Sequence, residues 1–463
     1  MLSVPASLLE FFVGRSPRTA PDALIRPFSG AGPSPTPLRL PARIEGMPKD
    51  PRIGRRNALA LLGAVPGGSA WNEFCPAPPP DFKRELTPTG SDSGSLFPAL
   101  EGLAGRDEFP HSFLSGRYRN VETWRAAGRE IVLKAFSYQP RPAPPRAEVV
   151  DRCDAGDFIR EKILFSTTPD FRVPAYVHIP KNLHGPAPAI VDLHSHGGMF
   201  LFGKEKVIDF GRNHPAMGPY HLENYAGRPT TTALVRRGYV VITIDAFGFG
   251  ERRILMDDDL KYGWERSAYS LETVRHLNQQ CREKESTIVK SLTYAGMTWP
   301  GVVTWDDIRT VDYLASRPEV DASRIGCVGV SFGGWRSLLL SGLDGRIAAA
   351  CVVGFMSTVR PMIRRHMDTH SFVHFIPALH RDLDLPDVVA LRAPRPLFVL
   401  QCRQDGLFPL EGMEQAVAKI GAIYEKAGAR ERFFSRFYNV PHRFDVAMQE
   451  DAFAWLDRHL KKT

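Results

Sequence analysis

Residues 329–333 read Gly-Val-Ser-Phe-Gly and place a serine between two glycines. The apolar run 324–330 predicts a strand and the residues after Gly333 predict a helix, so Ser331 lies at the turn between them. Such a turn strains the backbone of its central residue and requires small neighbours. Ser331 is therefore a candidate nucleophile, and the backbone N–H of Phe332 is a candidate donor to an oxyanion. A glycine-rich turn that binds phosphate, or one without any catalytic role, is the alternative.

A nucleophilic serine requires a general base, and two histidines near the end of the chain are candidates. His442 lies in a loop between a predicted strand at 432–439 and the last predicted helix. With the chain order serine, acid, histidine, this is where the base is expected. His459 lies inside the terminal amphipathic helix beside charged residues, which favours a solvated side chain. We predict His442 as the base, and a loop histidine without a role is the alternative.

The acid that orients this histidine is expected at the end of a strand between Ser331 and His442. Asp405 follows the apolar segment 396–402 and precedes a predicted helix. Its carboxylate would accept a hydrogen bond from His442 and fix the tautomer of the imidazole. Three other aspartates precede the same strand and therefore lie at its opposite end: Asp382, Asp384 and Asp387. The alternative for Asp405 is simple capping of the following helix.

A second glycine-rich segment, His-Ser-His-Gly-Gly at 194–198, ends another predicted strand. Glycines there allow backbone N–H groups to approach a substrate carbonyl, so Gly197 and Gly198 are predicted to complete the oxyanion hole. His194 and His196 could instead bind a metal ion, but no third ligand is suitably spaced. Neither a metal nor another cofactor is predicted.

Three further histidines, His366, His370 and His374, recur every four residues and would share one face if their segment were helical. The segment contains no His-Glu-x-x-His zinc motif. The three are therefore predicted to line or solvate a cap over the active site.

Alternating apolar and amphipathic segments predict the framework that positions these residues. Strands are predicted at 158–167, 172–180, 188–195, 238–246, 324–331, 347–355, 396–402 and 432–439. Helices are predicted near 121–137, 228–237, 304–316, 333–343, 410–427 and 446–461. The inner strands are almost continuously apolar, which is typical of a parallel sheet covered on both faces, whereas the first two predict an antiparallel hairpin. The sequence therefore predicts an α/β fold with a doubly wound, mostly parallel sheet of about eight strands.

Two long insertions are predicted to decide substrate specificity. Residues 252–303 and 356–392 both leave the carboxyl side of the predicted sheet. Because Ser331 lies at that same edge, the two insertions are expected to form a cap over it.

The composition is that of a globular protein with a large core: 463 residues, of which 43% are hydrophobic and 24% charged. Residues 1–70 hold nine Lys/Arg against four Asp/Glu and thus carry +5 of the net +8. The rest of the chain is nearly neutral, so nucleic-acid binding is not predicted. The six cysteines form no Cys-x-x-Cys pair, which argues against zinc ribbons. No apolar stretch reaches the ~18 residues of a membrane span.

The N-terminal part divides into two predicted segments before the catalytic domain. Read from Met47, Arg55-Arg56 precedes a short apolar run and small residues, which resembles a twin-arginine export signal. If translation starts at Met47, the protein is expected to be exported to the periplasm or medium, and otherwise to be cytoplasmic. Residues 1–70 are predicted to be a disordered extension that contains this signal. Residues 71–150 are predicted to form a loop and helical extension, and residues 151–463 the catalytic domain.

Further segments match a known family over most of the chain from about residue 105 to 460. They are residues 173–181, 194–198, 238–252, 304–326 and 393–397. With the Gly-x-Ser-x-Gly turn, they resemble bacterial serine esterases of the α/β-hydrolase superfamily, in the dienelactone-hydrolase and acetyl-xylan-esterase-like branch. The resemblance implies an α/β-hydrolase fold with Ser331, Asp405 and His442 as the triad. Dienelactone hydrolases use Cys as the nucleophile, so the serine here argues for ordinary ester substrates.

The motifs and the resemblance together predict a carboxylic ester hydrolase that works through a triad and an acyl-enzyme. The expected substrate is a small-molecule or carbohydrate ester, such as an acetylated or otherwise esterified sugar. A serine peptidase of prolyl-oligopeptidase type is the first alternative, although the long N-terminal propeller of such enzymes is missing. A non-catalytic binding protein on the same fold is the second, although all three triad positions are filled. No oligomeric state is predicted.

Overall fold

The computed structural model describes residues 88–104, 108–263 and 265–461. Residues 88–463 form one compact unit, which contains the helix of the predicted N-terminal extension. The disordered extension and twin-arginine signal predicted for residues 1–70 lie outside the described residues. The predicted domain boundary at residue 150 stays a prediction.

One nine-stranded sheet forms the centre of this unit. Its strands are β1 Glu148–Asp154, β2 Phe158–Ser166, β3 Arg172–Pro180, β4 Ala187–Leu193, β5 Val240–Ile244, β6 Val320–Val330, β7 Ile347–Val353, β8 Leu397–Cys402 and β9 Phe433–Tyr438. Their spatial order is β1-β2-β3-β5-β4-β6-β7-β8-β9. The first three neighbouring pairs, including the predicted β2–β3 hairpin, are antiparallel, and the other five are parallel. The predicted mostly parallel α/β sheet is confirmed.

The sheet has nine strands rather than about eight because strand β1 was not predicted. Six of its seven residues are exposed, and its sequence Glu-Val-Val-Asp-Arg-Cys-Asp lacks an apolar alternation. An edge strand pairs on one side only and can stay solvated. The inner strands β4, β5 and β8 are instead buried along their whole length, which made them recognisable.

Helices pack against this sheet and over its carboxyl edge. They are α1 Phe97–Ala104, α2 Val121–Phe136, α3 Met217–Tyr225, α4 Thr230–Arg236, α5 Leu271–Tyr294, α6 Trp299–Ala315, α7 Phe332–Leu343, α8 Val359–Arg364, α9 Leu385–Ala390, α10 Leu410–Lys426 and α11 Val446–Leu460. The six predicted helices correspond to α2, α4, α6, α7, α10 and α11. Within the part of the chain that the structure describes, no helix combines the length and hydrophobicity needed to cross a lipid bilayer.

The parallel strands bring the predicted functional segments to one edge of the sheet. Strands β4, β6, β8 and β9 all run in the same direction, so their carboxyl ends lie along one edge of the sheet. The segments that follow them carry the predicted oxyanion loop, Ser331, Asp405 and His442. This shared edge is where ligands bind in open α/β sheets.

Two glycines of the turn around Ser331 allow β4 to pack against it without a gap. An ideal Cβ on Gly333 would lie 1.9 Å from the carbonyl oxygen of Leu193, and one on Gly329 would lie 2.5 Å from the same atom. Both contacts are with backbone, which cannot move aside as a flexible side chain can. Glycine is therefore required at both positions by packing, in addition to its role in the turn.

We expect Gly333→Ala to lower the free energy of unfolding by about 3 kcal/mol or more, because the added methyl overlaps a fixed carbonyl. Urea unfolding of the full-length protein measures the change. The control is Gly218→Ala in α3, where nothing lies within 4 Å of the new Cβ. That change is expected to be neutral or to stabilise the helix by up to about 1 kcal/mol. Equal effects of the two substitutions would contradict the packing argument.

Candidate active site

Ser331 is the single residue between strand β6 and helix α7, and its backbone is strained. Its φ and ψ are 59° and −122°, values that a non-glycine residue adopts only at a cost of about 1–3 kcal/mol. Two backbone hydrogen bonds hold it there: its N–H donates to Val353 (2.9 Å), and its carbonyl accepts from Trp335 (2.9 Å). The hydroxyl makes no capping hydrogen bond to α7. The strained turn thus presents the half-buried serine at the edge of the sheet.

Asp405 and His442 are in direct contact. The Nδ1–H of His442 donates to Oδ2 of Asp405 at 2.7 Å, and the Asp405 side chain is fully buried. The second carboxylate oxygen, Oδ1, accepts the backbone N–H of Leu407 at 2.9 Å. Helix α10 has Pro409 as its N-cap, so Asp405 does not cap it. The charged partner of the Asp405 carboxylate is therefore the His442 imidazole when that ring is protonated.

His442 lies beside the strand end next to Ser331. An ideal Cβ on Gly354 would be 3.4 Å from Cε1 of His442, and Gly354 directly follows the residue whose carbonyl holds the Ser331 N–H. The other ring nitrogen, Nε2, is enclosed and makes no hydrogen bond within the described residues, to Ser331 or to any other group. The structure therefore joins Asp405 to His442 and brings His442 to the neighbourhood of Ser331. The catalytic roles of the three residues stay a prediction.

The predicted oxyanion loop follows β4 and turns back at two glycines. Gly197 and Gly198 have φ of 52° and 65°, in the left-handed region that favours glycine. The N–H of Gly198 donates to Nδ1 of His196 at 3.0 Å and so holds the loop itself. Among the described residues, the N–H of Gly197 has no such partner, and the N–H of Phe332 lies in the unpaired first turn of α7. These two groups are the freer donors at this edge.

A buried lysine that sequence reasoning missed supports this loop. Lys206 is fully buried, and its Nζ donates to the carbonyls of Ser195 (2.8 Å) and His196 (2.9 Å). The same ammonium lies 4.7 Å from the centroid of the Phe249 ring. Burial holds the pKa of Lys206 well below its ordinary value. Its two hydrogen bonds fix the backbone from which the predicted oxyanion donors extend.

We expect Lys206→Met to lower kcat for an ester substrate by about 10- to 100-fold, because two loop carbonyls lose their donor and the oxyanion loop relaxes. Initial rates with p-nitrophenyl acetate, together with the melting temperature, measure the effect. The matched control is Lys290→Met, which removes an exposed lysine of α5 and is expected to change neither quantity. An unchanged kcat in folded Lys206→Met protein would show that Lys206 does not position the loop.

A neighbouring carboxylate cluster has the spacing of a metal site, but a lysine occupies it. Oxygens of Glu205, Asp245 and Glu251 lie close enough together to coordinate one ion. The Lys204 ammonium lies among them, 2.6 Å from Asp245, 2.6 Å from Glu251 and 3.3 Å from Glu205. Burial alone would lower the pKa of Lys204, but the three carboxylates together raise it above its ordinary value. The cluster is therefore an internal ion-pair network.

The two predicted cap insertions meet at the oxyanion loop. Glu285, on helix α5 of the first insertion, faces Nε2 of His196 at 3.4 Å. The hydroxyl of Ser371, from the second insertion, donates to the same carboxylate. One buried glutamate thus joins both insertions to the segment after β4.

Two of the three cap histidines lie at the predicted site, although not on one helical face. Helix α8 ends at Arg364, and His366 has φ of 76°, so the four-residue spacing does not correspond to a helix. The His374 ring is 5.6 Å from the Phe332 ring, next to Ser331. The His370 ring is 5.0 Å from Phe408, which in turn stacks on His442 at 6.2 Å. Their placement comes from cap packing rather than from helical periodicity.

Sequence comparison matches the chain to known proteins over most of its length. Residues 91–445 match the model described as the Abhydrolase family. The Bacillus subtilis (strain 168) protein named "Putative hydrolase YtaP" is 27% identical over 308 residues, covering 66% of this chain and 90% of that protein.

Structure comparison gives neighbours of low sequence identity with the same fold. A Bacteroides fragilis NCTC 9343 protein described as a "putative acetyl xylan esterase" has a TM-score of 0.55 at 18% identity, covering 77% of this chain and 86% of the other. The glucuronoyl esterase of Solibacter usitatus has a TM-score of 0.52 at 16% identity, covering 78% and 99%. At these identities the likeness concerns the fold.

Proposed function

The chain belongs to the Abhydrolase family, and we propose that it is a serine hydrolase that cleaves carboxylic esters through an acyl-enzyme. The family match confirms the predicted α/β-hydrolase fold. The observation that carries the ester-cleaving proposal is the strained backbone of Ser331, φ 59° and ψ −122°, beside the hydrogen-bonded His442–Asp405 pair. Strain of this kind persists where a function requires it.

In the proposed reaction, Ser331 Oγ attacks the ester carbonyl while its proton passes to Nε2 of His442. The carbonyl oxygen takes the electron pair and is stabilised by backbone N–H groups at Phe332 and in the Gly197–Gly198 loop. The tetrahedral intermediate collapses as the C–O bond breaks, and His442 returns its proton to the leaving alcohol. Water then attacks the acyl-enzyme by the same route, which releases the acid and restores the serine hydroxyl.

Asp405 acts through His442 in this scheme. Its carboxylate accepts the Nδ1–H, so Nε2 is the unprotonated nitrogen that can receive the serine proton. The negative charge also stabilises the imidazolium that forms while His442 carries two protons. Its complete burial keeps water from competing for that contact.

We propose that the substrates are esters of carbohydrates, with an acetyl or another acyl group. Two structural neighbours support this class, since one is described as a "putative acetyl xylan esterase" and the other as a glucuronoyl esterase. The cap histidines His370 and His374 support it as well, because an alkyl ester would leave their enclosed ring nitrogens unpaired.

The test is covalent labelling combined with a rate measurement on the full-length protein. A fluorophosphonate is expected to label Ser331 once per chain, as mass spectrometry of the digested protein would show, and to abolish hydrolysis of p-nitrophenyl acetate. Labelling together with cleavage of peptides but not of esters would indicate the peptidase alternative. Neither labelling nor hydrolysis would indicate a non-catalytic protein and overturn the proposal.

A further inference from the structure

Three ring nitrogens of the cap histidines His370 and His374 are enclosed without a hydrogen-bond partner among the described residues. Both Nδ1 and Nε2 of His374 lack a hydrogen bond within the described residues, as does Nε2 of His370. The other nitrogen of His370 bonds to the carbonyl of His366 at 2.5 Å. A polar atom that is taken out of water and left unpaired destabilises the folded protein. A bound ligand that hydrogen-bonds to such atoms is one explanation for their presence in a folded protein.

The His374 ring packs against Phe332, the residue that follows the predicted nucleophile. Its ring centroid is 5.6 Å from that of Phe332, the predicted oxyanion residue, and 5.7 Å from that of His370. Trp335 and Phe355, at 5.6 and 4.9 Å, pack against the same ring and hold its orientation. An imidazole fixed by three aromatic rings can present its nitrogens with little loss of side-chain entropy on binding.

The protonation state of His374 favours one chemical class of ligand. Burial lowers the pKa of His374 well below its ordinary value, the nearby imidazoles of His370 and His196 lower it further, and the opposing effect of the Ser371 backbone is smaller. Burial also lowers the pKa of His370. A neutral imidazole offers one donor and one acceptor. A hydroxyl group can satisfy both, whereas a carboxylate only accepts and an alkyl chain does neither.

We propose that His374, assisted by His370, is a substrate-binding residue that hydrogen-bonds the hydroxyl groups of the alcohol part of the ester. This inference rests on the proposed function and names the part of the site that recognises a polyhydroxylated substrate. It assigns the cap histidines to specificity, whereas Ser331, His442 and Asp405 carry out the reaction.

The test compares two acetyl esters with the full-length protein. One is p-nitrophenyl acetate, whose leaving group has no hydroxyl, and the other is methyl 2-O-acetyl-β-D-xylopyranoside. We expect His374→Phe to lower the kcat/KM ratio of the sugar ester to p-nitrophenyl acetate by about tenfold, mostly through a higher KM for the sugar ester. His374→Leu removes the same nitrogens in a smaller shape and is expected to give the same ratio, so the result does not depend on one variant folding.

Two further variants separate binding from packing. His374→Asn keeps a donor and an acceptor and is expected to recover part of the ratio. His184→Leu removes an exposed histidine outside the site and is expected to leave the ratio unchanged. If His374→Phe and His374→Leu lower kcat/KM for both substrates by the same factor, the inference is overturned, because a merely structural role predicts that result.

The outcomes also distinguish this inference from the proposed function. Hydrolysis of p-nitrophenyl acetate without hydrolysis of the sugar ester by the wild-type protein would overturn the inference and leave the ester hydrolase standing. Absence of both activities, together with no labelling of Ser331, would overturn both.

Discussion

Ser331→Ala is expected to lower kcat for p-nitrophenyl acetate by about 10⁴- to 10⁶-fold, because no other group can form the acyl-enzyme. The residue between β6 and α7 would keep its place, since two backbone hydrogen bonds, to Val353 and from Trp335, hold it. Alanine at φ 59° carries about the same backbone strain as serine, so the folded structure is expected to persist. Steady-state rates, with circular dichroism as the check on folding, measure the effect.

The matched control for this experiment is Ser337→Ala. Ser337 lies on the same helix, α7, and is fully buried, and its hydroxyl has no hydrogen bond within the described residues. Removing that oxygen tests the general effect of a serine substitution in this helix. We expect its kcat to stay within about twofold of wild type. A similar loss in both variants, or activity retained in Ser331→Ala, would remove Ser331 from the mechanism.

Asp405→Asn is expected to lower kcat by about 10⁴-fold while the fold is maintained. The asparagine carbonyl can still accept the Leu407 N–H that Asp405 accepts at 2.9 Å, so the local turn has its hydrogen bond. Its amide would instead donate to Nδ1 of His442, which forces the proton onto Nε2. His442 could then no longer accept the serine proton, and the imidazolium would lose its counter-charge.

Asp382→Asn is the control for the general effect of replacing a carboxylate by an amide elsewhere in the chain. Asp382 precedes strand β8, whereas Asp405 follows it. The partly exposed Asp382 carboxylate lies 3.8 Å from Nε2 of His111. Its substitution is expected to leave kcat within about twofold of wild type. If Asp405→Asn keeps more than a tenth of the wild-type kcat, another group must orient His442.

The buried charges around the oxyanion loop divide into two systems with different consequences. Lys204 is surrounded by three carboxylates and is stabilised as a cation. Lys206, two residues later, donates hydrogen bonds to two backbone carbonyls, forms no ion pair among the described residues, and has a pKa lowered by burial. Breaking a paired buried charge costs stability, whereas removing Lys206 is expected to act on the loop geometry. This difference is why the prediction for Lys206→Met concerns kcat.

Local sequence patterns were sufficient to predict eight of the nine described strands and the candidate residues at the carboxyl edge of the sheet. Continuous apolar runs identified the inner strands β4, β5 and β8, because strands covered on both faces must be apolar along their length. The glycines at 329 and 333 identified the turn at Ser331, since a strained strand-to-helix turn tolerates few residue types. Chain order then reduced the candidates to Asp405 and His442, and the structure places those two side chains 2.7 Å apart.

The same patterns failed where a segment is solvated or polar along its length. Strand β1 has no buried face to create an alternation, and helix α5 buries only four of its residues in the cap. The spacing of His366, His370 and His374 would place them on one face only if their segment were helical, and the helix before them ends at Arg364. The structure of these elements depends on the neighbouring segments against which they pack.

The sequence by itself determined the fold class and the candidate nucleophile, acid and base, because these depend on hydrophobic periodicity, on local turn chemistry and on the order of the residues along the chain. Only the tertiary structure decided which other side chains contact the segments that carry these residues. Glu285 meets His196 across 89 residues, and Lys206 reaches the carbonyls of Ser195 and His196 from the turn after the loop. His374 reaches Phe332 from the cap. Such contacts depend on how separate segments pack, and a single Lys, Glu or His has no local pattern that reveals its partner.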